Sequence, residues 1–176
     1  MWFVARRTAP PVAALALRAA LAGAVATLAL EAIRYPGFRL GTMPGNLPQL
    51  MGVLLLDRFA LGLSTLSDAA GFAYHFWNGA NFGIVFAMLA MGGSRWWAVP
   101  FGIAIGIGFM ASPVVLALGV GPFGREFGWQ FAATVLTAHA AFGVALALLL
   151  PPTLGAAPFI PSCLIRAAPR PPRSTP

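Results

Sequence analysis

The chain has 176 residues, 59% of them hydrophobic and 9% charged, with a net charge of +7. Soluble domains carry about 25% charged residues, so this chain cannot cover a globular surface with solvated groups, and lipid is the solvent that suits it. Every basic residue is arginine, and the arginines flank apolar segments. They do not cluster with exposed aromatics, which argues against a nucleic-acid partner and suits topology anchors.

Residues 1–11 read as a short basic lead, with Arg6 and Arg7 closed by Pro10-Pro11. A first membrane span follows over 12–33. It is longer than the apolar region of about 7–15 residues in a secretory signal, so a retained helix is expected. Arg18 interrupts it near the start, where its side chain reaches back to the headgroups. Residues 34–48 hold Pro36, Gly37, Gly41, Pro44, Gly45 and Pro48, a density that predicts a loop. Residues 49–67 are apolar but carry Asp57-Arg58 in the middle. A charge at the bilayer centre costs roughly 2.5–3.5 kcal/mol, so this stretch is expected as a re-entrant or interfacial helix instead of a fifth span.

The second span is expected over 69–91 and ends at Gly92-Gly93-Ser94-Arg95. Trp96-Trp97 suit the membrane–water interface and lead into the third span, 98–118, where Pro113 predicts a kink. A turn over Gly119–Gly128 carries Arg125 and Glu126. The fourth span, 129–150, is stopped by Pro151-Pro152. The remaining tail, 151–176, is rich in Pro and Arg and reads as disordered. It holds the only cysteine, Cys163, which alone makes no intrachain disulfide and no metal cluster.

These segments predict an all-α membrane protein with about four transmembrane helices over 12–150. With the N-terminus inside, Arg6, Arg7, Arg95, Arg166, Arg170 and Arg173 fall on the inner side, and Arg34, Arg39, Arg58 and Arg125 on the outer. That bias predicts a multi-pass protein of the cell membrane with both termini cytoplasmic.

A shared pattern links the second and fourth spans. His75 is followed by Gly79, Gly83 and Ala87, and His139 by Gly143 and Ala147. Four-residue steps place such residues on one helix face, and small residues there let helices approach closely in lipid. The first span offers Ala19, Gly23 and Thr27, and the third offers Gly102 and Gly106. The pattern predicts two helical hairpins, spans one–two and three–four, packed as a weak internal repeat with the two histidines at matching places. Gly79, Gly83 and Gly143 are the expected packing residues.

The Pro/Gly-rich segment Gly41-Thr42-Met43-Pro44-Gly45-Asn46-Leu47-Pro48 leads into Leu50-Met51-Gly52. The helix Tyr74-His75-Phe76-Trp77-Asn78-Gly79-Ala80-Asn81-Phe82-Gly83 follows. Later come Gly119-Val120-Gly121-Pro122-Phe123-Gly124 and His139-Ala140-Ala141-Phe142-Gly143. Over residues 12–150 this set resembles a family of small, uncharacterised bacterial four-helix membrane proteins. The resemblance implies a fold and carries no activity.

His75 and His139 are the only histidines, and ionisable groups inside spans are functional hypotheses. Three readings stand side by side. Each imidazole is neutral and bonds a neighbouring helix, with Asn78 one turn from His75 as a partner. Alternatively Glu31, at the outer end of the first span, meets His75 in a polar site with Asn78, Asn81, Asp57 and Asp68. In the third, the two histidines ligate one haem, against which the residue count places them roughly 7–8 Å apart in depth. Glu31 also has Arg34 as an i,i+3 partner.

No hydrolase constellation accompanies Ser64, Ser67, Ser112 or Thr134, and the chain holds four acids and two histidines in all. The expectation is therefore a non-enzymatic structural or interaction subunit with no cofactor. Its partners would be the lipid bilayer and a second copy or another membrane protein. The alternatives are a small transporter or channel component using Glu31, His75, Asn78 and His139, and a haem-binding anchor.

Overall fold

The computed structural model describes residues 10–58, 60–90, 93–117 and 119–151. The tail, Cys163 and most of the basic lead lie outside the described residues. The described elements are helical: α1 (Pro10–Arg39), α2 (Leu47–Leu55), α3 (Thr65–Leu89), α4 (Ala98–Met110), α5 (Pro113–Ala117) and α6 (Trp129–Leu149), with single 3-10 turns at Arg95–Trp97 and Pro122–Gly124. Two of them, α1 and α6, are long and apolar enough to cross a membrane.

α1 packs on both α3 and α6, α4 packs on α6, and α2 packs on α3. The four long helices thus follow the order α3–α1–α6–α4. Backbones meet where side chains are smallest. A Cβ on Gly83 would run into the Ala19 carbonyl, and one on Gly23 into the Gly79 carbonyl. A Cβ on Gly143 would run into the Ala98 carbonyl, and one on Gly102 into the His139 carbonyl. Both pairs are antiparallel, since rising numbers on one helix meet falling numbers on the other. A third close approach seats α2 on α3, with Gly52 against the Ser67 carbonyl and Gly71 against the Pro48 carbonyl.

Several boundaries differ from the sequence reading. The first helix does not stop at Ile33. It runs through Pro36 to Arg39, although Pro36 has no N–H to give the helix. The reason is tertiary. Gly37 lies against Thr134 of α6, the Thr42 hydroxyl donates to the Gly37 carbonyl (3.0 Å), and the Thr134 hydroxyl donates to Thr42 (2.8 Å). The expected loop 34–48 shrinks to a short connection after Arg39.

The expected helix 49–67 is also revised. α2 ends at Leu55, and Asp57 takes a positive φ of 49° in the turn beyond it. Asp57-Arg58 are therefore outside any helix. α3 begins afresh at Thr65. Its cap is reciprocal: Ser67 N–H donates to Ser64 Oγ (3.1 Å) and Ser64 N–H to Ser67 Oγ (2.8 Å), which satisfies two donors that a helix start leaves open. The expected third span 98–118 is divided in two at Ala111-Ser112, because Pro113 cannot continue the hydrogen-bond ladder.

Candidate functional site

The close approaches fix a register between the two helix pairs. Gly23 lies on Gly79 and Gly102 lies on His139, while Gly83 and Gly143 each lie on the facing alanine, Ala19 or Ala98. His139 thus stands where Gly79 stands in the other pair. His75 is four residues earlier, about one turn or 6 Å along the axis. The two histidines are not at matching places, which corrects the sequence reading. A shared H-x-x-x-G string is outweighed by where two backbones can physically touch.

His75 instead faces α1. Its Nε2 lies 2.8 Å from Glu31 Oε1. The approach is oblique to the ring N–H and falls short of an aligned hydrogen bond. Glu31 is held from its other side by Arg34, with Nε donating to Oε1 (2.7 Å) and Nη2 to Oε2 (2.6 Å). This fork is the planar geometry for which guanidinium and carboxylate are suited. Arg34 Nη2 also donates to Asn46 Oδ1 at 2.9 Å. Asn46 sits just before α2, so the short connection after α1 folds back over the end of the helix and buries the guanidinium.

The burial is deep. Arg34 is 3% exposed, and the Glu31 and His75 side chains are 14% and 25% exposed. Charges in such a place persist only when paired and hydrogen-bonded. Three of the guanidinium's five N–H groups lie on the two nitrogens that reach Glu31 and Asn46. Nη1 is buried and has no hydrogen-bond partner among the described residues.

The cluster stands at one end of a cavity of about 470 Å³ between the helix pairs. α3 and α4 close on each other at the opposite end, where the Phe86 and Phe101 rings are 5.4 Å apart. Between these ends the walls are Leu30, Phe82, Ile105, Phe109 and Phe142, with Asn78, His75, His139 and Ser112 as polar members. The His139 Nδ1–H donates to the Val135 carbonyl at 2.8 Å, because a carbonyl can only accept. That fixes the tautomer and leaves Nε2 as the free ring position.

Of the residues singled out from the sequence, Glu31 and His75 are in contact. Asn78 and His139 line the same cavity, but neither touches that pair through a hydrogen bond among the described residues. Asn78 is not the partner of His75. Asp57, Asp68 and Asn81 do not join the cluster: Asp68 accepts from Gln49 (3.1 Å), and Asn81 donates to the Trp77 carbonyl (2.7 Å). Histidines offset by a turn, one of them occupied by Glu31, are not presented for a shared haem. Arg34 and Asn46 are members from the expected loop 34–48, of which the sequence reading named Arg34 as a partner of Glu31 and did not single out Asn46. The i,i+3 spacing of Glu31 and Arg34 is the signal that finds the first of them.

No family model, curated protein or solved structure matches the chain.

Proposed function

We propose that this chain is a four-span membrane protein that catalyses no reaction and holds a small molecule between its two helix pairs, as a small carrier or transport component does. The observation that carries this reading is the buried Glu31–Arg34–His75 cluster at the end of the cavity of about 470 Å³. A cavity of this size is within the range of about 300–1,000 Å³ typical of small-molecule sites. Ionisable groups kept inside a span, at a cost, mark such pathways.

The membrane setting is supported by what covers the outside. α1 exposes Leu17, Leu21, Val25 and Leu28, and α6 exposes Val144, Leu148 and Leu149. Trp96 and Trp97 are exposed at one end of the bundle, and Trp129 and Tyr35 at the other, as two aromatic belts require. α3, with 25 residues, and α4 continued by α5 supply the other two crossings. α2 has 9 residues, about 14 Å of helix, which is too short for a core of about 30 Å. The four-helix arrangement is also what the resemblance to the bacterial membrane family implies.

A second reading, a structural or interaction subunit, is favoured by the three glycine seams, since small-residue faces serve packing alone as well. Gly108 separates the two. It lines the cavity, and a Cβ there meets nothing within 4 Å. Gly108→Leu therefore fills the cavity without straining a seam. Native mass spectrometry of the protein extracted into lipid nanodiscs is expected to show a retained small molecule that Gly108→Leu loses. Identical spectra for both proteins would support the structural subunit instead.

A further inference from the structure

On the cavity wall, His139 presents an atom with a single hydrogen-bonding role. Its Nδ1–H is committed to the Val135 carbonyl at 2.8 Å, so in the neutral ring Nε2 carries a lone pair and can only accept. No ion pair among the described residues includes His139, so nothing beside it holds a charge on the ring. The root of the ring packs on α4, where a Cβ on Gly106 would lie 3.0 Å from its Cγ and 3.2 Å from Nδ1. Phe109 lies nearly parallel to the ring, at 19° and 6.4 Å between centroids. The outer edge, with Nε2, is left to the cavity that His139 lines. Nε2 has no hydrogen-bond partner among the described residues and keeps accessible surface, whereas Arg34 Nη1, His75 Nε2 and Ser112 Oγ are sealed in protein. An occupant of the cavity therefore reaches His139 Nε2 and none of those three atoms.

The rest of the wall sets the body of the occupant. Tyr74, Phe82, Phe109 and Phe142 supply aromatic faces, which favour a ring against them. Asn78 and the Tyr74 hydroxyl can each donate or accept, so neither selects between the two. An apolar cavity of about 150 Å³ holds one benzene, so about 470 Å³ has room for two linked rings. Phe82 on α3 and Gly108 on α4 line the cavity and are exposed, so its mouth lies on the flank of the bundle between these helices, where an apolar molecule arrives from the bilayer. The polar group of that molecule must bring a proton for Nε2. A carboxylate has only acceptors. An ammonium would need a balancing acid, but Glu31 is already paired with Arg34, and the Glu31–Arg34–His75 cluster sums to zero with His75 neutral and to +1 with it protonated. In either state of His75, an uncharged hydroxyl fits and an ammonium does not.

We propose that the cavity takes an uncharged, membrane-soluble phenol, whose hydroxyl donates to His139 Nε2 and whose rings lie against Phe82, Phe109 and Phe142. This assignment rests on the ligand-holding reading above and adds the chemistry of the ligand to it.

The test uses the full chain in lipid nanodiscs and biphenyl probes that differ only at one end: para-phenylphenol, its methyl ether, and biphenyls carrying a carboxylate or an aminomethyl group there. Partition into empty nanodiscs is subtracted. The phenol is expected to bind saturably, and at least about fivefold more tightly than the ether or either charged probe, a ratio on the scale of one hydrogen bond's net worth. Gly108→Leu should remove this saturable binding. His139→Phe should bind phenol and ether alike. In the parent protein the nitrogen-15 resonance of His139 Nε2 should move when the phenol is added and stay in place with the ether, a readout that decides the matter even where His139→Phe does not fold. The ether or a charged probe binding as tightly as the phenol, with Gly108→Leu still blocking it, overturns the donor assignment and leaves the cavity reading standing. A phenol preference that survives in folded His139→Phe, or a His139 resonance that bound phenol does not move, overturns the placement at Nε2. Saturable phenol binding that survives Gly108→Leu, or none in the parent protein, overturns the cavity reading itself.

Discussion

Arg34 shows how far a residue's place departs from its neighbourhood in sequence. It stands two residues before Pro36-Gly37 and reads as a loop arginine at a membrane surface. In the fold it is the most buried charge among the described residues, held by Glu31 and Asn46. The energetic consequence is asymmetric. Removing one partner of a buried pair leaves a bare charge and costs about 3–5 kcal/mol, whereas replacing both with apolar groups is often near neutral. Arg34→Met is therefore expected to lower stability by about 3 kcal/mol or more, and the Arg34→Met/Glu31→Leu double variant to recover most of it. Reversible unfolding in mixed detergent micelles measures both. If the double variant is as unstable as the single one, the pair is not the unit that matters.

At the scale of elements, the glycine steps decide which helices touch and at what height. Gly83 has the Ala19 carbonyl and the Gly23 backbone at the position of its missing Cβ, and a backbone cannot rotate out of the way as a side chain can. Gly83→Leu should force α1 from α3 and cost at least about 1–3 kcal/mol, seen as a lower melting temperature in detergent. Val85, two residues on and 43% exposed, should accept Leu with a change within about 0.5 kcal/mol. Equal losses at both positions would show that the seam lies elsewhere. The seams were legible in the sequence as four-residue steps of Gly and Ala. The exact pairing was not. His75 and His139 share a string with their following glycines, yet Gly102 takes His139 as its neighbour while Gly23 takes Gly79.

At the scale of the whole molecule, α1 pairs with α3 and also packs on α6, with Gly37 near its end against Thr134 near the start of α6, so all four long helices alternate in direction along the chain. Arg95 and Arg125 then stand at opposite ends. Arg95 reaches the α6 terminus, donating to the Leu150 carbonyl at 3.2 Å, and Arg125 follows the turn that leads into the start of α6. Combined with the arginine bias, this arrangement makes a topology prediction. Reporters fused after Arg95 should be active only in the cytoplasm, and those after Arg125 only outside it. A cytoplasmic signal after Arg125 would reverse the assignment. α2, with 9 residues, lies within the connection between α1 and α3 and leaves their antiparallel pairing unchanged.

The sequence by itself determined the helical class, the approximate places of the long helices and the residues able to form their seams. These follow from local quantities: length of apolar run, spacing of small residues, and proline or glycine at the ends. It also brought Glu31, His75 and Arg34 forward as neighbours worth weighing. Only the tertiary structure decided that α1 continues past Pro36, that Asp57-Arg58 fall in a turn, and that Asn46 closes over Arg34. Those outcomes depend on partners far along the chain, such as Thr134 against Gly37, and a helix end is set by whichever of its open backbone groups a neighbour can satisfy. The cavity belongs to the same category, because empty space between two helix pairs is a property of their packing and has no local signature in any one of them.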